Sequence, residues 1–198
     1  MFSIIIPTYN NLNYLKLCLR SIKKNSNYNH EIIIYVNEGN DGTLEFVKNS
    51  NFKFGYSEKN KGVCVAFNEG VKLAANKHVV LAHDDMYFCP NWDNVFKTEL
   101  KSIPHNNFFL SGTMVQYFNG LINFDCGDSP ENFNEEKLLN ELPNIKYYDF
   151  QGTHWQPSLI SKKLWNEVGG FSEEFSPGLG SDPDFNMKLW QNGVRIFK

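Results

Sequence analysis

The sequence predicts a mixed α/β domain built on a mainly parallel sheet flanked by helices. Short β-branched runs recur early: "FSIII" (2–6), "EIIIYV" (31–36) and "HVVLAH" (78–83). Between them lie segments with apolar residues at helical spacing, so strands and helices alternate as in βαβ units. The 198 residues, 41% hydrophobic and 21% charged, suit one globular core.

Each element follows from its local pattern. Pro7 is expected to stop the first strand after "FSIII". "NLNYLKLCLRSIKKN" (11–25) sets Leu12, Leu15, Leu19 and Ile22 at helical spacing. "EIIIYV" is a second strand, "DGTLEFVKN" (41–49) a short helix and "FKFGYS" (52–57) a third strand. "VCVAFNEGVKLAAN" (63–76) is a helix and "HVVLAH" a fourth strand. After Asp85 the rhythm changes. "NWDNVFKTELKS" (91–102) is helical in pattern, and "NFFLSGTMVQYF" (107–118) is strand-like. Residues 119–150 are polar and irregular, with a short helix near 134–141. "PSLISKKLWNEVGGF" (157–171) passes from strand into helix. "DPDFNMKLWQNGVRIF" (182–197) runs from helix through Gly193 into a last strand. Trp92, Trp165 and Trp190 lie within amphipathic helices and are expected in the core. His30, His78 and His105 show no ligand spacing and are expected at the surface or in loops. There is no linker and no internal repeat, so a single domain is expected.

Charge and cysteine usage narrow the function. A net charge of −3 argues against a broad nucleic-acid footprint. Cys18, Cys64, Cys89 and Cys126 form no C-x-x-C pair, so neither a zinc knuckle nor a dithiol site is suggested. A reduced, cytoplasmic setting fits best. The start "MFSIIIPTYN" has no cationic region, and its apolar run is too short for a signal peptide. No stretch is long enough to span a membrane; peripheral attachment stays open.

Parallel α/β sheets bind ligands beyond the carboxyl ends of their strands. Pro7-Thr8-Tyr9-Asn10, Asn37-Glu38-Gly39 and His83-Asp84-Asp85 all fall at such ends. An acidic pair there suits a hard cation, with positions left for phosphate. On extended chain His83 and Asp85 would share one face and Asp84 the other. The same pair also suits a solvated turn. Asp182, in "GSDPDF", has two readings: a general base, or a helix N-cap with Pro183 at the first helical position. Gly62, in "NKGVCVAFNEG", lets backbone approach a ligand at a helix start or simply forms a loop–helix junction. The spacing there is that of neither a P-loop nor G-x-G-x-x-G. His154 and Trp155 offer a ring to stack on a sugar and a hydrogen-bonding partner for hydroxyls, or pack beneath the irregular segment.

"SIIIPTYN", "NKGVCVAFNEG" (60–70), "HDD" and "GGFSEEFSPGLGSDPDF" (169–185) occur in this order. Together they resemble glycosyltransferase family 2, of the GT-A fold, over nearly the whole chain. The resemblance implies inverting transfer of a sugar from a nucleotide-diphosphate sugar to a hydroxyl of a glycan, lipid-linked or protein acceptor. It also implies a divalent metal, usually Mn²⁺ or Mg²⁺. By position, Thr8 and Tyr9 match the nucleoside pocket, and Asn37 matches a base-contacting position that is usually Asp. Asn60 and Gly62 match the loop beside the nucleotide. His83-Asp84-Asp85 occupies the D-x-D motif, with Asp85 as metal ligand, Asp84 toward the nucleoside and His83 near the ligand. Asp182 matches the catalytic base. Residues 1–90 would then form the nucleotide-binding half and 91–198 the acceptor-side half. Phe67 stands where an Arg is common. Members usually continue past the position of Lys198, and many bring a late His to the metal; here another ligand, water or a further segment would serve. Two other readings remain: a catalytically silent nucleotide-sugar-binding module and, with less support, a nucleotidyltransferase. The latter lacks its Gly/Arg/Lys-rich loop, since "PTYNNLN" follows the first strand.

Overall fold

The computed structural model describes residues 1–118, 121–152 and 156–198, so His154 and Trp155 lie outside the described residues. The chain runs β1 (Ser3–Tyr9), α1 (Leu12–Asn25), β2 (Glu31–Asn37), α2 (Thr43–Lys48), β3 (Lys53–Ser57), α3 (Gly62–Leu73) and β4 (His78–Leu81). It continues through α4 (Trp92–Ser102), β5 (Phe108–Ser111), β6 (Val115–Gln116), β7 (Ile122–Asn123) and α5 (Glu135–Glu141). The last elements are β8 (Ser158–Ser161), α6 (Lys162–Val168), α7 (Ser181–Gln191) and β9 (Ile196–Phe197). Seven strands form the central sheet in the order β3-β2-β1-β4-β8-β5-β9. β1 pairs parallel with β2 and β4, and β2 parallel with β3. β8 alone is reversed, antiparallel to both β4 and β5.

The isoleucines of β1 alternate between two cores, as a strand covered on both faces requires. Ile4 and Ile6 join Leu15, Leu19, Ile34, Val80 and Phe96 on the α1/α4 face. Ile5 joins Ile33, Phe67, Leu81, Trp165 and Phe185 on the α3/α6/α7 face.

Four expectations need correction. β1 does not stop at Pro7 but runs on to Tyr9 beside β2. Its ladder with β4 ends at Ile5↔Leu81, so Pro7 lies past the last pair on that side and its missing N–H costs no rung there. The strand expected over 107–118 is broken, because Gly112 N–H turns to the carbonyl of Pro157 (2.8 Å). Trp190 is half exposed, with the Arg195 guanidinium 4.0 Å over its ring, whereas Trp165 is buried. His30 and His78 are not surface groups. The His30 side chain is 1% exposed and bonded to Asp93, and His78 lies on β4 with a buried Nε2.

Candidate active site

Thr8, Asn37, Ser57 and the chain after Leu81 all lie at the carboxyl ends of β1 to β4, and register pairs Tyr9 with Asn37 and Asn37 with Ser57. The strands end there because the backbone turns: Asn10 and Glu38, the residues just after β1 and β2, have left-handed φ values of 47° and 59°. Tyr9 is exposed on this rim.

The acidic pair sits in a turn and not on extended strand. β4 closes at Leu81, and Ala82 N–H makes one more bond, to the Ile5 carbonyl (3.0 Å). Strict face alternation therefore does not govern Asp84 and Asp85, but they still differ. Asp84 is half-buried and accepts from Asn11 Nδ2 (3.1 Å); Asp85 is exposed. Burial holds the Asp84 carboxyl above its ordinary range, with Asp85 adding to the rise, while the hydrogen bond from Asn11 opposes it. The Thr8 hydroxyl is buried without a hydrogen-bond partner. The Phe67 ring, edge-on at 5.7 Å, backs His83.

Asn37 is 3% exposed, and its amide orientation is determined by its neighbours. Its Oδ1 accepts from Lys61 N–H (3.1 Å) and from Ser57 Oγ (2.9 Å). A backbone N–H must face an acceptor, so Nδ2 is the group left over. The loop before α3 is also internally bonded. Asn60 N–H donates to Glu38 Oε1 (3.1 Å), Gly62 N–H to Asn60 Oδ1 (2.8 Å) and Val63 N–H to the Pro177 carbonyl (3.2 Å). A Cβ on Gly62, at φ +83°, would meet Ser176 Cβ at 2.9 Å. Its glycine character therefore admits the 176–177 segment, and the N–H groups from Asn60 to Val63 are already used within the protein.

That docking places Asp182. Gly180, left-handed at φ 87°, is the N-cap of α7, and Asp182 follows Ser181 in the first turn. The N-cap reading of Asp182 with Pro183 at the first helical position is thus displaced by two residues. Asp182 Oδ1 accepts from Gln156 Nε2 (3.0 Å). β8 begins two residues after Gln156, and Leu81 pairs with Ser158. Because β8 is antiparallel to β4, Gln156 enters at the edge where β4 leaves, the rim that carries Asp84 and Asp85. Sequence reasoning missed Gln156, Asn11 and Ser57. No local pattern marks them, because their partners are brought together only by sheet order.

Among the described residues no group of three His, Cys, Asp or Glu side chains surrounds a common point. The fit to a divalent cation rests on the donor chemistry of Asp84 and Asp85: two adjacent carboxylates, one accessible, with the other coordination positions open to phosphate or water.

A family model described as Glycosyl transferase family 2 matches residues 3–162. The chain belongs to glycosyl transferase family 2. An uncharacterized glycosyltransferase of Rickettsia bellii is 30% identical over 119 residues, 58% of this chain and 16% of that protein. TarS 1-349 of S. aureus, in complex with UDP, superposes with a TM-score of 0.71 at 22% identity, over 98% of this chain and 56% of its own. The mannosyltransferase PcManGT from Pyrobaculum calidifontis, in complex with GDP-Man and Mn²⁺, gives 0.65 at 17% identity, covering 100% and 54%. These likenesses establish the GT-A-type fold for the family 2 chain. It spans about half of those two structures and a smaller share of the Rickettsia protein.

Proposed function

We propose that this family 2 chain is a metal-dependent, inverting glycosyltransferase acting on a nucleotide-diphosphate sugar. The observation that supports this best is that Thr8 and Asn37, the acidic pair after β4, and Gln156, the partner of Asp182, all lie at one edge of the sheet. Thr8, Tyr9 and Asn37 would receive the nucleoside, with Asp84 and His83 beside them and the Asn60–Gly62 loop, braced by Ser176 and Pro177, flanking it. Asp85 would hold Mn²⁺ or Mg²⁺, which when bound neutralises charge on the departing diphosphate. Asp182 accepts the proton of the acceptor hydroxyl as its oxygen bonds to the anomeric carbon. The carbon–oxygen bond to the diphosphate breaks on the opposite face, so configuration inverts. The 1–90 half serves the donor and the 91–198 half the acceptor, a glycan, lipid-linked or protein hydroxyl. Among the described residues no helix is long and apolar enough to cross a membrane. A cytoplasmic site of action belongs to the same proposal, and peripheral membrane attachment is compatible with it.

Thermal shift with a panel of nucleoside diphosphates, with and without Mn²⁺, tests the donor site. Ligand at a hundred times Kd adds about 2.7 kcal/mol of stability. Asp85→Ala is expected to abolish the Mn²⁺-dependent part. The apo protein should change by less than about 0.5 kcal/mol, as for an exposed side chain. Retention of full metal-dependent stabilisation in this variant would remove Asp85 from the site.

Base preference is the second test. Uracil N3–H is a donor, and the remaining Asn37 group is also a donor. UDP should therefore be favoured over GDP, CDP and dTDP by less than about a hundredfold, about 2.7 kcal/mol, in calorimetry. Asn37→Asp keeps an oxygen for Lys61 and Ser57 and frees a second for N3–H. A charge-assisted bond contributes about 1.5–3 kcal/mol, so UDP affinity should rise about tenfold or more. Unchanged or weaker UDP binding would show that position 37 does not read the base.

A further inference from the structure

We infer that Gln156 is the positioning residue for Asp182; this rests on the reading of Asp182 as the base. The two residues are far apart in sequence and belong to different elements, yet they share a 3.0 Å hydrogen bond. Gln156 is 6% exposed. Immediately after it the chain enters β8, which is paired on both sides, to β4 and to β5. Asp182 has a different support, the first turn of α7, whose Phe185 and Leu189 are buried against the sheet.

A carboxylate in a first helical turn can still take more than one staggered rotamer, and a partner outside the helix selects one of them. Gln156 is that partner, supplied from the sheet. An ionised carboxylate only accepts, so the Gln amide must present its N–H₂. The bond occupies Oδ1 and leaves Oδ2 to receive the acceptor's proton. A general base works only from a narrow range of positions, and a displacement of about 1 Å can cost about a hundredfold. The rim carries other carboxylates, Asp84 and Asp85, but neither bonds to Gln156 in the structure.

The test is a double-mutant cycle on Mn²⁺-dependent release of nucleoside diphosphate, using whichever of a UDP-, GDP-, CDP- and dTDP-sugar panel is hydrolysed fastest. Gln156→Leu should lower kcat roughly ten- to a hundredfold with donor KM little changed. In the Asp182→Asn background the same substitution should have almost no further effect, because there is no base left to orient. Gln156→Glu, which sets a carboxylate against a carboxylate, should be at least as harmful as Gln156→Leu. If Gln156→Leu retains wild-type kcat, or lowers it equally with and without Asp182, the inference fails. If Asp182→Asn itself leaves turnover intact, the base assignment fails first, and the two failures are distinct. A readout independent of turnover is the Gln156 side-chain amide in ¹⁵N NMR. Its protons should lie downfield in the wild type and move to solvent-like positions in Asp182→Ala. Identical amide positions in the two proteins would overturn the contact itself.

Discussion

Asp182→Asn is expected to lower transfer by about a hundredfold or more, the usual contribution of a positioned general base, while fold and donor affinity persist. The structure sharpens this substitution as a probe. Gly180 caps α7, so Asp182 contributes to the helix only through charge near its N-terminus, about 0.3–1 kcal/mol. The Asn variant retains an oxygen to accept from Gln156 Nε2, so shape and orientation survive and only the capacity to take a proton is lost. Donor binding should hold, because Thr8, Asn37 and Asp85 are placed by β1, β2 and the turn after β4. Released nucleoside diphosphate measures turnover, calorimetry measures donor affinity, and a melting curve controls for folding. Water as acceptor depends less on the base than a sugar hydroxyl does, so hydrolysis gives the lower bound of the effect. Wild-type turnover at unchanged stability and affinity would leave Asp182 a helix residue only.

The alternation of "FSIII", "EIIIYV" and "HVVLAH" with helical segments made the parallel half legible, because buried parallel strands are written as continuous apolar runs. The place of β8 was not legible. Nothing local to "PSLIS" says that it inserts between β4 and β5 in reverse, and that insertion brings Gln156 to the rim. The polar tips after β1, β2 and β4 were readable as a ligand edge, since carboxyl ends of parallel strands converge. Which atoms those residues leave for a ligand was not readable. Asn37 shows its chemistry only once Lys61 and Ser57 are seen to occupy its oxygen. Gly62 fits either close approach of a ligand or a plain loop–helix junction in the sequence; in the fold Ser176 and Pro177 stand where its side chain would be. His30 followed ordinary surface statistics until the fold set it against Phe2, Trp92 and Asp93.

That last contact gives the largest expected stability effect: Asp93→Ala should destabilise the protein by about 3–5 kcal/mol. Asp93 is 0% exposed and accepts from Asn27 N–H (2.7 Å), Tyr28 N–H (3.0 Å), Asn27 Nδ2 (2.9 Å) and His30 Nε2 (3.0 Å). It ties the loop between α1 and β2 to α4. Alanine leaves these donors without their acceptor. His30 Nδ1 accepts from Phe2 N–H (3.1 Å), so the ring carries its proton on Nε2 and is neutral, and the contact is a hydrogen bond to a carboxylate and not an ion pair. Burial lowers the His30 pKa from its usual 6.5; Asp93 opposes this, while the amino terminus and Lys97 add to the lowering. A depressed histidine means that the unfolded chain binds the proton first as pH falls. Stability is then complete above about pH 6.5 and declines as pH drops below it toward the folded value. His78, also lowered by burial, acts in the same direction. Asp93, held below its ordinary range despite burial by its bonds to Asn27, His30 and Tyr28, extends the loss to lower pH. Urea unfolding at pH 8, 6.5 and 5 should therefore show falling stability. His30→Gln, which can accept from Phe2 and donate to Asp93, should make the decline shallower, leaving the share of His78. A pH dependence identical in His30→Gln and wild type would show that His30 does not titrate with folding, and an Asp93→Ala loss below about 1 kcal/mol would show that the loop finds other acceptors.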